Sequence, residues 1–112
     1  MNDTRPQNHQ EKWVLVDFEI AEIHPGEKPG SMILTVTGNT PASSVAGCPV
    51  KLAARTYFAQ PEFWGIEVMW DRADAIFQTL CPFKVSIPLE GIRGTKGLEV
   101  VGRTRSEQIL FK

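Results

Sequence analysis

The sequence is poor in the residues that usually announce a chemistry. It has two histidines, two cysteines and one tyrosine in 112 residues, and no surplus of either charge, with 12 basic against 13 acidic side chains and a net charge of -1. A polyanion binder needs a Lys/Arg excess to release counterions, so nucleic acid is an unlikely partner on composition alone. Long apolar runs are also missing. A bilayer-spanning helix needs about 18–20 residues, and the longest candidate here, Trp13 to Ile23, is broken by Asp17, Glu19 and Glu22. The N-terminal MNDTRPQNHQ has no apolar signal core. Residue 2 is Asn, not the Gly of an N-myristoylated chain, and the terminal LFK is no prenylation box. The expected location is therefore the cytoplasm, without a membrane partner.

Catalytic and metal signatures are equally scarce. There is no Gly-x-Ser-x-Gly elbow and no C-x-x-C, H-x-x-x-H or H-x-H spacing, so no enzyme, metal or cofactor is expected. His24 precedes Pro25 in a turn, where an exposed, unremarkable imidazole is the ordinary outcome. Cys48 and Cys81 each precede a proline, in Gly47-Cys48-Pro49 and Leu80-Cys81-Pro82. In a reducing compartment they are expected as free thiols flanking strand starts. A disulfide between them is the alternative. The segment Gly91–Gly97 (GIRGTKG) is a glycine-rich loop between strands. It lacks the helix N-terminus that makes a phosphate cradle.

What the chain does contain is alternation. Hydrophobic residues are 42% and charged residues 22%, a globular balance. The length suits a single domain. Residues 1–11 are polar and aperiodic and read as a disordered tail, which leaves 12–112 as the domain. From Trp13, Val14, Val16, Phe18 and Ile20 alternate with Leu15, Asp17 and Glu19, as in a half-buried strand. The apolar positions then shift to Ala21 and Ile23. A parity shift of that kind marks a β-bulge or a strand that changes partner. Met32, Leu34 and Val36 define a second strand, and Gly38–Pro49 is expected to cross between sheets. A hairpin over Val50–Trp70 follows. A three-residue Gln60-Pro61-Glu62 loop would oppose Phe58 to Trp64, Thr56 to Ile66, Ala54 to Val68 and Leu52 to Trp70, all on the core face. It would also set Arg55 against Glu67 and cover Gly65 with Tyr57. Asp71 is then an N-cap for a short helix with Ala73, Ile76, Phe77 and Leu80 on one stripe. Phe83, Val85, Ile87 and Leu89 form a strand that Pro88 places at a sheet edge. Leu98–Val101 and Gln108–Phe111 close the chain.

About seven short strands punctuated by turns are the pattern of an all-β fold: a small immunoglobulin-like antiparallel β-sandwich with one short helix. A small closed β-barrel is the alternative. Two surfaces are candidates for binding. Tyr57, Phe63 and Met69 fall on the outward side of the hairpin and would form an apolar contact face if contiguous. Arg93, Lys96, Arg103 and Arg105 form the densest basic cluster. The expected function is a non-enzymatic interaction module that binds a protein partner or a second copy of itself. The second reading is a small nucleic-acid or anion binder built on the basic cluster with an aromatic ring stacking on bases.

Overall fold

The computed structural model describes residues 13–41, 43, 47–71 and 79–111. Eight strands run in the order β1 (Trp13–Leu15), β2 (Ile20–Pro25), β3 (Met32–Thr40), β4 (Val50–Ala54), β5 (Phe63–Asp71), β6 (Cys81–Pro88), β7 (Gly97–Val101) and β8 (Ser106–Leu110). They form a small β-sandwich. A five-stranded sheet follows the path β1-β5-β7-β8, with β1 and β7 pairing with opposite ends of β5 and β4 also pairing with β5, and a three-stranded sheet has the order β2-β3-β6.

The extra strand comes from the parity shift. Trp13–Leu15 pairs with β5, whereas Ile20–Pro25 pairs with β3 in the opposite sheet. Val16 and Phe18, between the two strands, still face the core at 7% and 3% exposure. The shift therefore marks a chain changing sheets rather than a bulge. Leu34, Val36, Ile66, Val68, Leu98 and Val100 are fully buried between the sheets, all of them even-numbered positions, as the two-residue period requires. The Gly38–Pro49 segment does cross from one sheet to the other, with β3 extending to Thr40 before it does so. Among the described strands β6 pairs only with β3, so Pro88 is on an edge strand as anticipated.

Three features correct the sequence reading. First, β4 pairs with β5 as Leu52 to Val68 and Ala54 to Ile66, two residues from the expected register. A two-residue slip keeps every side chain on its own face, so the alternation could not detect it. The last rung explains the slip. Arg55 N donates to Gly65 O at 2.9 Å, but Arg55 O accepts the Trp64 indole N–H at 2.8 Å. The Tyr57 hydroxyl takes the Gly65 amide instead, at 2.9 Å. Side chains thus end the ladder early, and residues 55–62 form a broad connection. Phe58, assigned to the core, is fully exposed at 113%. The Arg55–Glu67 ion pair forms nonetheless, at 3.1 Å, as a diagonal neighbour pair.

Second, β5 and β7 are parallel, because the chain visits the other sheet as β6 between them. Third, Cys48 and Cys81 are joined in a disulfide, with Cα atoms 5.8 Å apart; they are not free thiols. Thr40 pairs with Cys81 in β3–β6, and Cys48 ends the crossover that Thr40 begins. The crossover thereby returns Cys48 to the β6 edge, a juxtaposition that no sequence period reports. The short helix expected after Asp71 lies outside the described residues for Ala73, Ile76 and Phe77, as does the polar tail. Asp71 is the buried last residue of β5, and Leu80 is 71% exposed.

Candidate interaction site

One end of the sandwich is built by two connections that hydrogen-bond to each other. Gln60 Nε2 donates to Arg93 O at 2.7 Å. Thr95 N donates to Pro61 O at 2.9 Å, and the Lys96 and Gly97 amides donate to Glu62 O at 2.8 and 3.1 Å. Lys96 Nζ lies 3.4 Å from the Glu62 carboxylate. Phe111 N donates to Lys96 O at 2.9 Å, which brings the end of β8 into the same assembly. On this frame Tyr57, Phe58, Trp64, Arg93 and Phe111 line a groove of about 820 Å³. Tyr57 packs edge-on against Trp64, with ring centroids 5.0 Å apart at 77°. The Arg93 guanidinium lies 5.0 Å over the Phe111 ring. No carboxylate lies within 4.0 Å of it among the described residues. The result is an aromatic surface held by backbone hydrogen bonds, with one cation that has no carboxylate partner among the described residues.

A second groove, of about 490 Å³, shares Arg93 and Phe111 and continues along the seam between β2 and β8 over Ile23, Met32, Ile109 and Leu110. The seam is closed at its far end by Arg105. This side chain lies 4.4 Å over the Phe18 ring, donates to Phe18 O at 2.7 Å, and pairs with Glu107 at 3.0 Å. The opposite seam, between β4 and β6, is the one the disulfide joins.

The residues singled out from sequence are distributed as follows. Tyr57 and Phe63 lie near the loop end, both half-buried. Met69 is at the other end of β5, opposite Leu15 and Lys51, where Lys51 Nζ sits 4.1 Å over the Trp13 ring. The Arg55–Glu67 pair separates Met69 from the other two along the same face of β5. Arg93 and Lys96 precede β7, whereas Arg103 and Arg105 follow it, so the four cations divide between opposite ends of the sandwich. At the Arg103/Arg105 end, Asp17 accepts the Thr104 amide at 2.7 Å and also the Thr104 hydroxyl. These bonds, the hydroxyl above all, hold its carboxyl below the ordinary value of 3.8. His24 has a partner: its Nε2 is 2.7 Å from Thr35 Oγ1, which in turn is 2.8 Å from Ser86 Oγ. This row of hydroxyls ties the outer faces of β2, β3 and β6 together.

Sequence reasoning missed Phe58 as a surface group; Trp64, expected in the core, and Phe111 do pack against it, and each also turns part of its surface to the groove. The available signal was aromatic density, with Tyr57, Phe58, Phe63 and Trp64 bracketing Gln60-Pro61-Glu62. The fold makes this chain a member of the small all-β sandwich class. Comparison with family models, with curated proteins and with solved structures finds no match.

Proposed function

We propose that this chain is a non-enzymatic interaction module that grips a protein partner at the loop end of its sandwich. The observation that carries this reading is the fully exposed Phe58 beside Tyr57, Trp64, Phe111 and Arg93, which pairs with no carboxylate among the described residues. Aromatic residues and arginine supply most of the energy of protein interfaces. A β-sandwich also positions its end loops for contact. The mutual hydrogen bonds of residues 60–62 and 93–97 support a preformed surface, which lowers the ordering cost of binding. The Cys48–Cys81 bond supports work in an oxidising environment in place of the cytoplasm expected from the lack of signal and membrane motifs.

The test is selection of a displayed random 12-residue peptide library on the wild-type chain, followed by titration of the selected peptides. Phe58→Ala is expected to cost about 2 kcal/mol, roughly 30-fold in affinity, with thermal stability unchanged. Peptides that bind wild type and Phe58→Ala equally would refute the site. The second reading, a nucleic-acid or anion binder, draws on Arg93 beside the same rings. Anisotropy titration with a single-stranded oligonucleotide at low salt checks it. With the cations divided between two ends, a flat curve is expected.

A further inference from the structure

β8 is an edge strand whose outer side carries no partner among the described residues. The Gly102 amide donates to Arg105 O, and the Phe111 amide donates to Lys96 O. In an antiparallel ladder, bonded and non-bonded pairs alternate. The bonded pairs are therefore 96/111, 98/109, 100/107 and 102/105, in keeping with the observed register. Ser106, Gln108 and Leu110 consequently turn both their N–H and C=O groups away from β7, and all three residues are exposed. An edge of this kind is a template for another strand. It opens directly onto the apolar β2–β8 groove and ends at Arg93.

We infer that the partner is an extended, acidic peptide segment that adds to the five-stranded sheet along β8. Its backbone bonds to Ser106, Gln108 and Leu110. An apolar side chain enters the groove over Ile23, Met32 and Ile109, and a carboxylate meets Arg93. This is the β-augmentation mode, in which main-chain bonds give affinity and pockets give specificity. The inference rests on the interaction-module reading and specifies its partner.

Charge selects this occupant over a second copy of the chain. The two-fold pairing of β8 with itself that uses all three outward-facing residues matches Gln108 to Gln108 and Ser106 to Leu110. It would then set Phe111 opposite the partner copy's Arg105, bringing that cation toward the Arg93 already stacked on Phe111. It would also make the two Glu107 side chains diagonal neighbours. Like charges so placed oppose pairing, whereas a carboxylate on the incoming strand removes the conflict.

The experiment uses the peptides selected on the full chain. They are expected to share an acidic residue. N-methylation of alternate peptide amides should abolish binding at one parity and spare it at the other. Gln108→Pro removes only an outward-facing donor, a position that tolerates proline on an edge strand. It is expected to weaken binding at least about tenfold, the loss of a main-chain bond plus the clash that proline introduces, with an unchanged circular dichroism spectrum. Arg93→Gln should remove the acidic preference. Peptides that lose affinity for Phe58→Ala but tolerate N-methylation at both parities and Gln108→Pro would overturn strand addition while leaving the interaction module intact. Failure to select any peptide would overturn both readings. A dimer in sedimentation that Gln108→Pro dissociates, or an oligonucleotide that competes for the groove, would assign the edge to a different occupant and overturn the inference.

Discussion

Removing the disulfide tests how much the fold depends on a bond between its two sheets. Cys48 enters the five-stranded sheet ahead of β4, and Cys81 begins β6 in the three-stranded sheet. The bond spans a sequence separation of 33. In the chain-entropy treatment, closing a loop of that length removes about 12.5 cal/mol/K from the unfolded ensemble, about 3.7 kcal/mol at 25 °C. An unfolding entropy of about 2.1 cal/mol/K per residue over roughly 100 residues turns this into a loss of about 18 °C in Tm. The perturbation is the double variant Cys48→Ala with Cys81→Ala, accompanied by wild type reduced with a phosphine. Calorimetric melts of both, against oxidised protein, should agree with each other. Urea titration should show a larger m-value without the bond, since the unconstrained chain exposes more surface. A shift under about 5 °C in both samples would refute the reasoning, because it would mean that the unfolded chain is not restrained by the link.

Three further outcomes follow from particular contacts. Asp17 has a folded pKa below its unfolded one, so it contributes stability above the ordinary value of 3.8 that is lost as pH falls through that value toward the folded pKa. Asp17→Asn should flatten the acid limb of a stability-versus-pH curve there, and an unchanged limb would contradict the contact with Thr104. At Gly97 a Cβ would collide with the carbonyl oxygen of Ile109 in the neighbouring strand, so Gly97→Ala should cost about 1–3 kcal/mol in urea unfolding. Leu34 is fully buried and Phe58 fully exposed. Leu34→Ala should therefore cost about 2–5 kcal/mol, and Phe58→Ala should stay within about 0.5 kcal/mol of wild type, an ordering that denaturant titration checks directly.

The candidate site was legible only as ingredients. Arg93 and Tyr57 were visible as a cation and an aromatic, but their meeting depends on Gln60 and Glu62 bonding to the 93–97 loop across 33 or more residues of chain. Phe58 was misassigned because it continues the even-numbered parity of Val50, Leu52 and Ala54 past the point where the ladder stops. Parity is a property of extended backbone, and it carries no information once Trp64 and Tyr57 have diverted the hydrogen bonds of Arg55 and Gly65.

Alternation along each strand determined which side chains face inward, because a strand's period of two is local. It grouped Leu34 with Val36 on one face, placed Ile66 and Val68 in the core, marked β6 as an edge through Pro88, and signalled at Ile20, by a shift of parity, either a bulge or a change of partner. The pairing of Cys48 with Cys81, the parallel β5–β7 contact, the two-residue shift in the hairpin register and the edge position of β8 in its sheet were decided by the tertiary structure. Each depends on which distant segments become neighbours, and a two-residue slip or an exchanged partner leaves the local pattern unchanged.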